Sequence, residues 1–380
     1  MRRLLFPALL LLLAFINQLH AAGSTVPTLA IGSPLPDFKL PGIDGRDYTP
    51  ADFAKAKILA VVFTCNHCPT AQNYEERLKQ LTSEYQSRGV AFVAINPNHA
   101  EAVRLDEMGY TDLGDTFEEM KIRAAHLQYN FPYLDDGPTQ EIVKKFGAVA
   151  TPHVFIFDQE RRLRFQGRID DSERPDLAKH HDTRDAIAAL LAGKDPAVST
   201  TKVFGCSIKW ADSLGDNERW REKVAKEPVK IERADAAALG ELRANKDTGK
   251  VRMINVWATW CGPCVSEFDE LVEQNLRFRH RDFELVTVAA QFPDEEAKVL
   301  KFLQKKNAST RNLIFGTTDK YALIEALDPE WQGALPHTLL IDEKGKVIYR
   351  QTGSIDFLAI RRAIVPALNA ITPWGGLDGL

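Results

Sequence analysis

The feature that most constrains this chain is an internal repeat built around two C-x-x-C pairs. Ile58–Val62 is a short β-branched run that leads into Cys65-Asn66-His67-Cys68, and Val251–Trp257 is a second that leads into Cys261-Gly262-Pro263-Cys264. A helical pattern follows each pair, with Tyr74, Leu78 and Leu81 in the first copy and Phe268, Leu271 and Val272 in the second. Each copy continues with another apolar strand, Val90–Ile95 and Phe283–Ala289. The copies align again where Thr151-Pro152-His153 matches Leu335-Pro336-His337, each followed by an apolar run, a turn and a last strand. The first copy is the longer between these landmarks, with its additional residues placed around Glu101–Leu127. Strands alternating with helices and closing on a hairpin predict two α/β domains, each a central mixed β-sheet flanked by helices. The 380 residues are ample for two cores. The expected bounds are 23–212 and 229–380, joined by a polar linker over 213–228 in which Trp220 packs.

Arg2 and Arg3 precede an apolar run from Leu4 to Ile16 and small residues at Ala21, Ala22 and Gly23. That is the pattern of a secretory signal peptide over 1–22. The run is shorter than the roughly 20 apolar residues a span requires, and no cysteine follows it to carry a lipid. The mature chain is therefore expected to be exported, and periplasmic if the source is Gram-negative, where disulfides persist. A net charge of −4 gives no footprint for nucleic acid. Five cysteines are too few for a disulfide scaffold, so four of them in two C-x-x-C pairs point to redox chemistry. The histidines do not complete a zinc pattern and C-x-x-C-H is absent, so no metal, haem or other cofactor is expected.

The chain resembles a fusion of two thioredoxin-fold families. Residues 31–210 resemble the redoxin or peroxiredoxin-like (AhpC/TSA-type) group, through Gly32-Ser33-Pro34-Leu35-Pro36-Asp37-Phe38, the Asp44-Gly45 turn, the first C-x-x-C, Thr151-Pro152 and Gly205-Cys206-Ser207-Ile208-Lys209-Trp210. Residues 229–370 resemble TlpA-like thiol–disulfide oxidoreductases, through Trp257-Ala258-Thr259-Trp260-Cys261-Gly262-Pro263-Cys264 and Leu335-Pro336-His337-Thr338. The resemblance implies that Pro152 and Pro336 are cis. It also implies that the backbone of Thr151 and Leu335 lies beside the sulfurs, where a substrate strand can pair.

A thiol at a helix N-terminus is acidified by unpaired N–H groups and the helix dipole. The expected attacking thiols are Cys65 and Cys261, with Cys68 and Cys264 resolving the mixed disulfide. Thioredoxins carry an aspartate six residues before the first cysteine, where this chain has Leu59 and Asn255. Glu267 is the candidate base of the second copy, and Ala71 takes the matching place in the first; the alternative for Glu267 is a dipole-complementing glutamate. His153 and His337 are expected to be structural or solvent-exposed. Cys206 is either a small buried hydrophobe or a third redox thiol.

The leading function is a thiol–disulfide oxidoreductase acting on protein cysteines in cell redox homeostasis, served by a membrane or soluble electron donor or acceptor. One rival is an antioxidant thiol peroxidase, although neither Cys65 nor Cys68 completes P-x-x-x-T-x-x-C. The other is a copper- or thiol-binding module using Cys65, Cys68 and His67. His67, if cationic, would stabilise the reduced first dithiol and make it the stronger oxidant. Electrons would then run from Cys261/Cys264 to Cys65/Cys68 if the two sites can meet. Sequencing the N-terminus of protein from its native compartment should find a start between Ala22 and Ser24; an intact Met1 on a cytosolic protein would refute export.

Overall fold

The computed structural model describes residues 26–246 and 248–374; the candidate signal peptide lies outside them. A small hairpin, β1 (Leu40–Pro41) and β2 (Asp47–Tyr48), precedes the first sheet. That sheet and its helices comprise β3 (Ile58–Phe63), α1 (Pro69–Tyr85), β4 (Val90–Asn96), α2 (Phe117–Leu127), β5 (Tyr133–Asp135) and α3 (Glu141–Phe146). They continue with β6 (Ala150–Thr151), β7 (His153–Phe157), β8 (Leu163–Gly167) and α4 (Asp182–Leu191). The strand order is β5-β4-β3-β7-β8, with β3, β4 and β5 parallel and β7 and β8 antiparallel. Every residue of β3 is buried because helices cover both faces of the sheet, which is why the strand reads as an unbroken apolar run. Ile58, Ala60 and Val62 pack on α1 and α4, while Leu59, Val61 and Phe63 pack on α3 and the hairpin.

The chain then forms β9 (Cys206–Ser207), α5 (Leu214–Val224), β10 (Glu232–Ala234), α6 (Ala236–Ala244), β11 (Val251–Trp257), α7 (Gly262–Phe278) and β12 (Phe283–Ala289). It ends with α8 (Glu296–Lys305), β13 (Arg311–Phe315), α9 (Lys320–Leu327), β14 (His337–Ile341), β15 (Val347–Thr352) and α10 (Phe357–Ile371). The second sheet has the order β10-β13-β12-β11-β14-β15 and the same mixed arrangement around β11. Among the described residues no helix is long and apolar enough to cross a membrane.

Residues expected as a polar linker are largely helical. In α5, Trp220 packs with Val103, Leu105, Met108 and Leu276, so the segment ties the two halves together. The first copy's additional length falls between β4 and β5, and this insertion makes the interface. Arg277 and Arg281 near the end of α7 donate to the carbonyls of Thr111 (3.3 Å) and Gly109 (2.8 Å). Asp112 accepts from Arg362 at 3.0 Å and from Arg123 at 3.2 Å. The contacts lie at the C-terminal end of α7, whereas Cys261 caps its N-terminus, about 24 Å away at 1.5 Å per residue. In this arrangement the two dithiols do not meet. Direct electron transfer between them, raised by the sequence, therefore requires the halves to move.

Removing the Asp112 carboxylate takes the ion-pair partner from Arg362 across the interface, while Arg123 keeps its pair with Glu75. Asp112→Ala is expected to lower stability by about 1 kcal/mol and to split thermal unfolding into two steps in calorimetry. An unchanged single transition would show that the carboxylate does not couple the halves.

Candidate active sites

The registers of the two central sheets align the sites residue by residue. Phe63 pairs with Ile95 and His153, and Val256 pairs with Val288 and His337, so Phe63 and Val256 are equivalent. Counting five residues on from each, Cys68 matches Cys261, while Cys65 matches Ala258. The helices agree. Cys68 is the N-cap of α1 and its Sγ accepts from the Ala71 N–H at 3.4 Å; Cys261 is the N-cap of α7 and its Sγ accepts from the Cys264 N–H at 3.4 Å. The expectation that Cys65 opens the helix is corrected: the first motif sits one C-x-x-C spacing earlier, with Pro69 as the first helical residue. Ala71 is then the counterpart of Cys264, and Tyr74, not Ala71, that of Glu267. The position six residues before the capping cysteine is Val62, not Leu59.

Cys65 and Cys68 are free thiols, 2% and 0% exposed. Burial alone would push the Cys68 thiol up. Hydrogen bonds from the Cys206 and Cys65 thiols, the His67 charge and the Ala71 N–H outweigh it, and hold Cys68 well below its ordinary value. Burial and the neighbouring Cys68 push Cys65 well above its own, despite the Thr151 hydroxyl 3.2 Å away. Of the two thiols, Cys68 is therefore the one whose thiolate form its surroundings favour. Cys206 packs directly on this pair and is itself pushed up, by its hydrogen bond to Cys68 and by burial.

Behind the thiols stands Asp115, which the sequence did not single out. Its Oδ1 accepts from the backbone N–H of Asn66 (2.8 Å) and His67 (3.0 Å), and its Oδ2 pairs with His67 Nδ1 at 2.5 Å. Burial alone would lower His67, but the Asp115 carboxylate raises it; burial would raise Asp115, but the His67 charge and hydrogen bonds lower it. Each group thus favours the charged form of the other, and the His67 charge in turn lowers Cys68. No local spacing could reveal Asp115, which arrives from the insertion between β4 and β5. Cys65, His67 and Asp115 bring three ligand-type atoms within 4.8 Å of one another, with His67 Nδ1 already engaged by Asp115.

At the second site Cys261 and Cys264 form a disulfide with Cα atoms 5.3 Å apart. Trp260 beside it is 66% exposed. Glu267 accepts from the Ile355 N–H at 3.0 Å through Oε2, while buried Oε1 has no partner among the described residues; burial raises its carboxyl. Thr151–Pro152 and Leu335–Pro336 are both cis. His153 and His337 are buried, not solvent-exposed, and structural. His153 Nε2 meets Gln166 at 2.9 Å and burial pushes its ring down to about 4. His337 is held by Asp328 (3.0 Å) and Thr352 (2.8 Å).

The AhpC/TSA family model matches residues 31–166 and the Redoxin model residues 228–357. The chain is a tandem thioredoxin-like protein, an AhpC/TSA domain followed by a redoxin domain. This tandem protein is similar to the thiol:disulfide interchange protein CycY of Rhizobium leguminosarum bv. viciae, 26% identical over 44% of this chain and 89% of that one. It is also similar to the thiol-disulfide oxidoreductase ResA of Bacillus subtilis, 31% identical over 28% of this chain and 55% of that one. Most of the curated relatives it matches are thus spanned over little more than half their length. Among solved structures, a hypothetical protein of Sinorhizobium meliloti is 36% identical, over 49% of this chain and 97% of that one, with a TM-score of 0.43.

Titrating thiolate absorbance of the Cys261→Ser/Cys264→Ser protein should show one thiolate that persists well below the ordinary cysteine range. Because the imidazolium favours the charged form of Cys68, His67→Ala should move that midpoint upward. A midpoint indifferent to His67 would remove the electrostatic assignment.

Proposed function

We propose that this protein is an exported thiol–disulfide oxidoreductase acting on protein cysteines by mixed-disulfide exchange, periplasmic if its source is Gram-negative. The relatives named for thiol–disulfide interchange support the activity. The observation that carries it is the second site, a disulfide at a helix N-cap beside exposed Trp260 and Leu335, whose backbone has no strand neighbour among the described residues. A substrate thiolate attacks Cys261 Sγ, the Cys261–Cys264 bond breaks, and Cys264 leaves as a thiolate. A second substrate thiol then displaces Cys261, so that the substrate is oxidised and the dithiol reduced; the reverse sequence reduces a substrate disulfide. Glu267, with its raised carboxyl, exchanges the proton of the resolving thiol. A membrane-bound or soluble partner resets the dithiol.

The first site supplies a second redox centre on Cys68, with Cys65 beside it. A stabilised Cys68 thiolate favours the reduced state and makes this centre the more oxidising of the two. Thiol-dependent peroxide reduction there is the second reading, favoured by the AhpC/TSA match over 31–166. The working units are 23–212 and 229–380, with 1–22 removed and 213–228 between them.

Disulfide reduction in a model protein substrate, with a dithiol donor, should fall at least 100-fold in Cys261→Ser. Trp260→Ala should raise KM several-fold with kcat little changed. Glu267→Gln should lower kcat and abolish the pH-dependent limb set by that carboxyl. Unimpaired turnover in Cys261→Ser/Cys264→Ser would refute the assignment to this site.

A further inference from the structure

The edge that a thioredoxin-like site offers to a substrate strand is already taken in the first domain. Thr151 pairs antiparallel with Cys206, and Ala150 with Ser207, so β9 lies where an incoming protein strand would pair. The fit is close. Gly205, at φ +145°, approaches so near that a Cβ there would fall 2.1 Å from the Thr151 carbonyl oxygen. The pairing brings the Cys206 thiol against Cys68, whose Sγ also lies 3.3 Å from the Thr151 carbonyl oxygen. The equivalent backbone at Leu335 has no such neighbour among the described residues.

A second route reaches Cys206, which packs on Cys68. A cavity of about 350 Å³ opens between the halves, walled by His67, Cys206 and Lys209 on one side and by Arg277, Arg281 and Trp374 on the other. That is a small-molecule volume. Its acidic residues are already matched, Glu107 by Lys209 at 2.8 Å and Asp106 by Arg104 at 3.0 Å. The arginines are not. Arg277 is 6% exposed, and among the described residues it donates to the Thr111 carbonyl alone while its buried Nε has no partner. Arg281 spends its donors on the Gly109 and Thr372 carbonyls and the Asn369 amide. Among the described residues neither guanidinium makes an ion pair with a carboxylate, so both leave cationic charge on the cavity wall that a carboxylate-bearing ligand would complement.

We propose that the first site pairs Cys68 with Cys206 and takes a small anionic disulfide, not a protein strand, through the cavity between the halves. The proposal rests on the redox reading of this site, and in place of the expected Cys65 attack with Cys68 resolving it makes Cys68 the attacking and Cys206 the resolving thiol. Cys68 Sγ attacks one sulfur of the small disulfide, forming a mixed disulfide and releasing one half as a thiolate, which takes up a proton. Cys206 gives up its proton and attacks Cys68 Sγ, so a Cys68–Cys206 bond forms and the other half leaves as a second thiolate. Two protein thiols lose two electrons in all, and one small disulfide becomes two small thiols. Cys65 stays a thiol that donates a hydrogen bond to Cys68.

The test uses the full chain carrying Cys261→Ser/Cys264→Ser, with oxidised glutathione as the anionic probe and bis(2-hydroxyethyl) disulfide as the neutral one. After acid quenching and alkylation, peptide mapping should find Cys68 linked to Cys206, and Cys65→Ser should leave that linkage intact. Cys206→Ser should accumulate the Cys68–glutathione adduct, cleared at least tenfold more slowly. A Cys65–Cys68 linkage with Cys206 alkylated would overturn the pairing. No adduct and no linkage would refute redox activity at the first site altogether, leaving the second untouched. Arg277→Gln should raise the half-saturating concentration of oxidised glutathione at least fivefold while sparing the neutral probe, and Arg277→Lys should restore most of it. As a control without substitution at the cavity, added salt should slow only the anionic probe; equal effects on both probes would overturn the anion site.

Discussion

Both sites depend on the start of the helix that follows the central strand. The first backbone N–H groups of a helix have no partner within it, and here a cysteine sulfur caps each set. Cys68 and Cys261 occupy the same place because β3 and β11 hold the same register against both of their sheet neighbours. Strand register therefore decides which cysteine sulfur caps the helix, and at the first site the capping sulfur, Cys68, is the one held below its ordinary value. In the second domain the other cysteine follows one turn later inside the helix. In the first it precedes the helix, in the loop that β3 feeds, and its partner shell is different as a result.

That difference is made good by residues from elsewhere in the chain. The insertion between β4 and β5 delivers Asp115 under the loop, where its carboxylate fixes the Asn66 and His67 amides and keeps the imidazole cationic. Such a buried ion pair carries a desolvation cost, and the Asn98 side-chain amide and two backbone N–H groups on the carboxylate help to offset it. The same insertion presents Thr111, Gly109 and Asp112 to the arginines of the second domain. One segment thus sets the charge at the first site and the placement of its neighbour, and the cavity beside Cys206 exists because the two meet there.

The sequence made the repeat legible because a buried parallel strand and a half-buried helix leave strong periodic patterns. The strands Val251–Trp257 and Phe283–Ala289 stand as expected, and those of the first copy each run one residue further, to Phe63 and Asn96. Helix α5 was hidden by its polar composition, with Trp220 as its one visible sign. For the histidines after the two prolines a structural or solvent-exposed place was legible, since histidine often sits where it is merely hydrogen-bonded. Their burial was not, because it depends on Gln166, Asp328 and Thr352 from other strands and loops.

Family resemblance implied the thioredoxin-like identity and the cis prolines, and by itself the sequence determined two α/β domains with four cysteines in a redox spacing. Local patterns of apolar and turn residues are enough for that, since each element must bury a face of its own. Only the tertiary structure decided that Cys68 is the capping thiol, that Asp115 charges His67, and that Cys206 pairs with Thr151 against the first site. Those outcomes turn on contacts between residues many positions apart, set by strand register and by one insertion. A short window of sequence holds no record of either.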